Sequence, residues 1–235
     1  MAYLSGQDMV AAYDYNVPIL NSCSVEVEKG ELAVIVGPNG AGKSTAMKVL
    51  LGMLKLSSGS VTLEGKDISR LSVQKRIRLG LAFVPQTDNV FPTMTVQENL
   101  EMGAFLRTDD ISQTLAEVYD LFPILHDRKN QLVGQLSGGQ RQQAAFGRAM
   151  MTQPTIMLLD EPTAGVAPKV MDEIFGNILN LKNSGRAVLM VEQNARQALE
   201  IADKGFVLVS GRNEHTGTGK ELLANPEVRR SFLGG

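Results

Sequence analysis

Residues 37–45 read Gly37-Pro38-Asn39-Gly40-Ala41-Gly42-Lys43-Ser44-Thr45, and they directly follow the apolar run Leu32–Val36. This pattern, G-x-x-x-x-G-K-S between a buried strand and a helix, is the context that a phosphate-binding loop requires. Its glycines let several backbone N–H groups point into one concavity, to which the following helix adds its positive N-terminal end. Lys43 can then reach the β- and γ-phosphates of a nucleotide, and Ser44 offers a hydroxyl to Mg²⁺. We therefore predict a nucleoside triphosphate site with phosphate contacts at Gly37, Asn39, Gly40, Ala41, Gly42, Lys43, Ser44 and Thr45.

The length and charge of the chain limit its possible functions. With 235 residues and a net charge of −2, it has enough residues for a sizeable core and no excess of positive charge that would favour nucleic-acid binding. Its single cysteine, Cys23, lies in an apolar–polar alternation and is expected to be a small core residue. No basic-then-apolar leader and no run of membrane-spanning length is visible. We expect a cytoplasmic protein with no nucleic-acid partner.

Strand and helix patterns alternate along the chain, except between residues 89 and 153, where only helical patterns occur. This predicts one α/β domain, in which residues 1–88 and 154–235 form the nucleotide-binding core and residues 89–153 form an inserted all-helical subdomain. The predicted strands are Val25–Val27, Leu32–Val36, Val61–Leu63, Ala82–Val84, Thr155–Leu159, Ala187–Val191 and Phe206–Val209. The predicted helices are Lys43–Leu54, Val96–Leu106, Ser112–Phe122, Gly139–Met151, Pro168–Leu181, Ala195–Ala202 and Pro226–Leu233.

An apolar strand that begins at Thr155 ends in two carboxylates, Asp160 and Glu161. Ligands in open α/β sheets bind at the carboxyl ends of the strands, so this strand can deliver both acids to the phosphates. Asp160 is predicted to hold Mg²⁺ in its outer shell, beside Ser44. Glu161 points differently because side chains alternate along a strand, and we predict that it polarises the attacking water.

A second glycine-containing segment, Ser137-Gly138-Gly139-Gln140, precedes another helix. Ser137 is a natural helix cap, and the two glycines expose backbone N–H groups, which together make a second anion site. One γ-phosphate does not need two phosphate loops from the same chain. The simplest arrangement is therefore two protomers packed head to tail, each of which completes the other's nucleotide site.

The order of these motifs, together with Val84-Pro85-Gln86, resembles that of the ATPase subunit of an ABC transporter over essentially the whole chain. The resemblance implies a P-loop NTPase fold that uses ATP and Mg²⁺, with Gln86 as the residue that contacts Mg²⁺ and the lytic water. It also implies two transmembrane permease subunits in contact with the helical subdomain, and an extracytoplasmic solute-binding protein as an indirect partner. The chain would then lie on the inner face of the cell membrane, bound through the permeases.

Finer features are similar to the LivF-type ATPases of branched-chain and neutral amino-acid uptake systems, notably residues 89–104, Val191–Asn194 and the C-terminal residues. Two departures from the general ABC pattern fit this subgroup: Gln193 stands where most such ATPases have a histidine, and Ala167 stands where an aspartate is usual. Gln193 can hydrogen-bond a γ-phosphate but cannot carry a proton as imidazole does. We therefore expect slow hydrolysis, and a partner that is either a second copy of this chain or a different ABC ATPase.

Three further expectations concern surfaces. By the resemblance, an aromatic residue before the first core strand stacks on adenine; Tyr13 is favoured over Tyr15. The basic cluster Lys75, Arg76 and Arg78 is expected to be a solvated helix face. Apolar residues after Gln86 are predicted to form a groove for a permease helix. These residues are Val90, Phe91, Met94 and Val96.

The functional prediction is an ATPase that powers amino-acid import. ATPases of urea or amide uptake and of lipid or lipopolysaccharide export remain alternatives within the ABC transporters. A regulatory or DNA-maintenance ABC ATPase is an alternative from another class, but such proteins generally carry a coiled-coil insertion or a second cassette, and neither is visible here. The transported solute is left open, because other subunits select it.

Overall fold

The computed structural model describes residues 2–13, 17–87 and 89–232. The strands are β1 Leu4–Ala11, β2 Leu20–Val27, β3 Leu32–Val36, β4 Ser58–Leu63, β5 Lys66–Asp67, β6 Leu81–Val84, β7 Ile156–Asp160, β8 Ala187–Val191, β9 Lys204–Val209 and β10 Arg212–Gly217. The helices are α1 Lys43–Leu51, α2 Val73–Arg78, α3 Val96–Gly103, α4 Ser112–Leu121, α5 Pro123–Asp127, α6 Gly138–Met150, α7 Pro168–Asn183, α8 Ala195–Ile201, α9 Gly219–Ala224 and α10 Pro226–Phe232.

The larger sheet has the strand order β10-β9-β3-β8-β7-β6. Its strands from β9 to β6 are parallel, and β10 pairs with β9 in the antiparallel direction. Every residue of Leu32–Val36 and Ala187–Val191 is buried, as expected for central strands covered on both faces. The two faces of β3 pack into different hydrophobic cores. Val34 and Val36 belong to the core that contains residues of α6 and α7. Ala33 and Ile35 belong to the core that contains residues of α1.

A second, antiparallel sheet with the order β2-β1-β4-β5 covers the α1 side. The sequence pattern did not predict β1, because its alternation is interrupted. Asp8 has a φ of 48°, and the pairing of β1 with β2 shifts register between Gly6 and Met9. Such a bulge puts one extra residue into a strand and so breaks its period of two.

The predicted helices are present with ends shifted by a few residues, but α2, α5 and α9 were not predicted. The prediction that Arg76 belongs to a solvated face is wrong, because its side chain is only 2 % exposed. Lys75 and Arg78 on the same helix are exposed. The Arg76 guanidinium donates to four backbone carbonyls, two of them at the C-terminal end of α1, where helix carbonyls lack partners. These acceptors are the carbonyl oxygens of Val49, Leu50, Ser69 and Leu71.

Between β6 and β7 the described chain forms α3 to α6 without a named strand. Thr95 and Glu98 form a capping box at the start of α3, which satisfies two backbone donors. Val96 is fully buried, so its assignment to a docking groove is wrong; it packs into the core between α3 and α6. Of the helices in the described part of the chain, none has both the length and the apolar character that crossing a bilayer requires.

Candidate functional site

The phosphate loop follows β3 and leads directly into α1. Gly40 and Gly42 have φ values of 79° and 97°, in the left-handed region that favours glycine. A Cβ on Gly37 would lie 2.2 Å from the carbonyl oxygen of Leu208, so this position has no room for a side chain. The loop forms the wall of a cavity of about 280 Å³, which is lined by Ile19, residues 39–45 and Glu161.

Lys43 is the cation of this loop, and it is only 5 % exposed. Its Nζ donates hydrogen bonds to the carbonyl oxygens of Gly37, at 2.9 Å, and Pro38, at 3.2 Å. Burial lowers the pKa of Lys43, while the negative charges of Glu161 and Asp160 act in the opposite direction. The ammonium group is thus held next to the loop backbone, among carboxylates, where phosphate oxygens could replace the carbonyls as acceptors.

Ser44 and Asp160 are in contact at the carboxyl edge of the larger sheet. The Ser44 hydroxyl in the first turn of α1 donates to Asp160 Oδ1 at 3.1 Å, at the carboxyl end of β7. Burial raises the pKa of Asp160, and the hydrogen bond from Ser44 acts in the opposite direction. A hydroxyl and a carboxylate are the hard oxygen donors that Mg²⁺ prefers, so this pair fits the predicted metal position.

Gln86 and Glu161 also meet, although they are far apart in the sequence. Gln86 Nε2 donates to Glu161 Oε2 at 2.9 Å. Gln86 follows β6 and Glu161 follows β7, and these strands are neighbours in the sheet, which explains the contact. The backbone of Glu161 has a φ of 46°, and its N–H donates to the carbonyl oxygen of Val191 at 2.9 Å.

A third carboxylate, Glu192, lies next to this group and was not singled out from the sequence. It follows β8, is 1 % exposed, and accepts hydrogen bonds from the N–H and the hydroxyl of Thr163. Burial raises the pKa of Glu192, and the hydrogen bonds from Thr163 act in the opposite direction. The sequence signal that could have identified Glu192 is its position directly after the wholly apolar run Ala187–Val191. The next residue, Gln193, has an exposed side chain.

The segment from Ser137 to Gln140 does not reach the phosphate-loop cavity of its own chain: none of the residues that line this cavity belongs to it. Ser137 and Gln140 form a capping box at the start of α6, with the Gln140 N–H 3.3 Å from Ser137 Oγ. Gly139 is buried, and a Cβ there would lie 3.0 Å from the Val170 side chain. Gly138 is half-buried, and its N–H lies at the positive end of the helix.

Tyr13 is 54 % exposed, and its ring does not line the cavity. Its hydroxyl accepts a hydrogen bond from Lys48 Nζ at 3.1 Å, and the same nitrogen lies 5.4 Å from the ring centroid. Lys48 is one turn beyond Ser44 on α1. Tyr15, the alternative adenine-stacking residue, lies outside the described residues.

A family model described as ABC transporter matches residues 20–164. The chain belongs to the ABC transporter family. This ABC ATPase is 44 % identical, over 97 % of its length and 98 % of the relative's, to the high-affinity branched-chain amino acid transport ATP-binding protein BraG of Pseudomonas aeruginosa. It is 39 % identical to the probable branched-chain amino acid transport ATP-binding protein LivF of Archaeoglobus fulgidus, over 92 % of both chains. The crystal structure of MJ1267, an ATP-binding cassette in its ADP conformation, matches with a TM-score of 0.89 at 30 % identity over both whole chains.

The predicted fold, an α/β P-loop ATPase core with helices inserted after β6, and the predicted ATPase activity are thereby confirmed. ATP is the nucleotide of this family of cassettes. On this chain the phosphate loop, Asp160, Glu161 and Gln86 lie together, whereas the Ser137–Gln140 segment lies elsewhere on the surface.

Proposed function

We propose that this ABC ATPase powers the import of branched-chain or other neutral amino acids. The observation that carries the proposal is the identity of 44 % and 39 % to two proteins of that transport class over nearly the whole chain. Gln193 and Ala167 support the same assignment, since both are the LivF-type departures from the general ABC pattern.

The roles proposed for the site residues follow from their contacts. Lys43 and the N–H groups of residues 37–45 bind the phosphates, and Ser44 and Asp160 hold Mg²⁺ together with Gln86. When bound, Mg²⁺ neutralises the charge that develops on the phosphate oxygens. The Gln86 amide 2.9 Å from Glu161 supports a shared task, in which Glu161 accepts a proton from the attacking water. The role of Gln193 rests on the family resemblance alone: it is exposed and outside the cavity lining of its own chain, and we propose that it hydrogen-bonds the γ-phosphate.

A complete site then needs a second chain. We propose that Ser137, Gly138, Gly139 and Gln140 bind the γ-phosphate of a partner protomer, and their absence from the lining of their own chain's cavity supports this. The partner is a second copy of this chain or a different ABC ATPase. A partner with histidine at the position of Gln193 would supply one site with a titratable group.

We propose that this chain acts on the permeases through a contact surface centred on Phe91. The ring is 41 % exposed and lies with its centroid 4.9 Å from the Arg148 guanidinium carbon. Buried Asn99 fixes the backbone beneath it, since its side chain bonds both the N–H and the carbonyl of Phe91. The apolar residues Met102, Phe105 and Leu106, which are also exposed, extend the surface at the end of α3. We propose that permease helices dock here and that residues 89–153 transmit the movement, with the chain held on the cytoplasmic face of the membrane.

The test is solute uptake in cells of the source organism that lack this chain. Cells complemented with the wild-type chain should take up labelled leucine or another neutral amino acid, and cells complemented with Glu161→Gln should not. Glucose uptake serves as the control. Unchanged amino-acid uptake in the deletion strain, with a defect in urea uptake or in lipopolysaccharide at the cell surface, would replace the proposal with one of those activities.

A further inference from the structure

Glu192 and Thr163 form a buried contact that the nucleotide chemistry above does not use. They are 1 % and 5 % exposed. Glu192 Oε1 accepts hydrogen bonds from both the Thr163 N–H, at 3.0 Å, and the Thr163 hydroxyl, at 2.9 Å, while Oε2 accepts the Gln193 N–H at 3.2 Å. Both carboxylate oxygens therefore have partners, as a buried charged group requires. The carboxylate ties the chain after β7 to the end of β8.

The Glu192–Thr163 contact holds the turn formed by residues 161–164, which begins with Glu161. At the start of the turn, the Glu161 N–H donates to Val191 O at 2.9 Å, and at its end the Ala164 N–H donates to Glu161 O at 3.0 Å. Within it, Glu161 has a φ of 46°, in the left-handed region. A non-glycine residue stays in this region only when its surroundings fix it there. Val191 holds the beginning of the turn at Glu161, and the adjacent Glu192 holds it two residues later at Thr163.

We propose that Glu192 and Thr163 are a positioning pair, which holds Glu161 in its left-handed conformation and thereby aims its carboxylate. The proposal rests on the proposed role of Glu161 in polarising water. Neither member of the pair lines the phosphate-loop cavity. The hydrogen bonds of the pair therefore act on the rate of hydrolysis and not on the binding of ATP, whereas the negative charge of Glu192 also acts on Lys43 in the loop.

The main variant is Thr163→Val, which keeps the side-chain shape and removes the hydroxyl donor. We expect kcat to fall about tenfold, which corresponds to about 1.4 kcal/mol of transition-state stabilisation. KM for ATP should stay within about twofold, since the lost interaction does not contribute to substrate binding. Thr163→Ser, which keeps the hydroxyl, should restore kcat. Glu192→Met, which removes both acceptor oxygens, should lose at least as much kcat as Thr163→Val.

The matched control is Thr155→Val, just before β7 begins, where the hydroxyl donates to Gly80 O at 3.3 Å. It should leave kcat unchanged. Steady-state ATPase assays, ATP affinity and thermal unfolding are measured for each variant. A wild-type kcat in folded Thr163→Val overturns the proposal. So does a lost kcat that Thr163→Ser does not restore, or one that Thr155→Val matches, because a general loss of stability would produce those patterns.

A double-mutant comparison separates this inference from the role of Glu161. In the Glu161→Gln background, Thr163→Val should cause no further loss, because no carboxylate remains to be aimed. A further tenfold loss would mean that the pair acts on something other than Glu161. Wild-type turnover by Glu161→Gln alone would instead refute the proposed function of Glu161, and the positioning pair would fall with it.

Discussion

Replacing Arg76 with methionine tests how much one buried cation contributes to this fold. The side chain is 2 % exposed and donates to four backbone carbonyls. One of them, on Val49, keeps a bond from the Gly52 N–H at 3.0 Å, so the loss falls on the other three. Leu50 is buried, and its carbonyl left without a partner costs about 1–3 kcal/mol. Ser69 and Leu71 are half-buried, so their carbonyls can bond water and lose only a hydrogen bond to a charged group, about 1.5–3 kcal/mol each, which gives roughly 4–9 kcal/mol in all.

Part of this loss is offset, because the guanidinium itself is held at a desolvation cost. Burial lowers the pKa of Arg76, which is the mark of that cost. Relief of a few kcal/mol from removing the buried charge leaves a net destabilisation of about 3 kcal/mol. For a chain of this length that corresponds to a melting temperature lower by about 6–12 °C.

The assay is urea denaturation followed by circular dichroism, with Lys75→Met and Arg78→Met as matched controls on the same helix. Both control positions are exposed, and their variants should stay within about 0.5 kcal/mol of the wild type. Arg76→Lys should lie between, because an ammonium group cannot reach all four carbonyls. If Arg76→Met unfolds at the same urea concentration as Arg78→Met with an unchanged m-value, the carbonyl contacts contribute no net stability and the reasoning is refuted.

Three further predictions concern activity. Glu161→Gln should bind ATP normally and lower turnover by roughly 100-fold or more, the scale of a lost general base, and ATP should trap its dimer on size-exclusion chromatography. Gln193→His should raise turnover and introduce a pH dependence at about pH 6.5, which the wild type should lack because glutamine does not titrate. Phe91→Asp should abolish solute uptake in membranes, because a carboxylate disrupts an apolar contact, while ATP binding by the isolated chain stays near normal.

Each of these has an outcome that contradicts it. Near-normal hydrolysis by the pure Glu161→Gln variant would remove Glu161 from catalysis. An unchanged or lower rate for Gln193→His would mean that Ala167, or dimer formation, limits turnover. Unfolding or lost nucleotide affinity in Phe91→Asp would place Phe91 in the core and the docking surface elsewhere.

The sequence predicts those parts of the molecule whose chemistry is local. The phosphate loop needs only its own glycines and the following helix, and Asp160 and Glu161 stand at the end of an unbroken apolar strand, so both were visible as patterns. β1 was not visible, because the bulge at Asp8 interrupts its alternation. The interior position of Arg76 depends on carbonyls from separate segments, which no sequence window contains.

The same limit applies to the candidate site. That Ser44 and Asp160 would approach each other follows from the motifs, but the contact between Glu192 and Thr163 joins the ends of two strands. It exists because Asp160 pairs with Val191 in the sheet register, a property of the folded strands and not of either motif. Positions whose partners are set by sheet register therefore need the structure.

The strand order β3-β8-β7 has a consequence for the lengths of these segments. β8 lies between β3, which leads into the phosphate loop, and β7, which ends in the acids. Its last residue, Val191, pairs with Ile35 of β3 on one side and with Asp160 of β7 on the other. Deleting one residue from β8 would exchange the faces on which Glu192 and Gln193 point. Apolar substitutions within β8 are compatible with this arrangement, but insertions and deletions are not. Related chains should therefore vary in which apolar residues fill these five positions and not in their number.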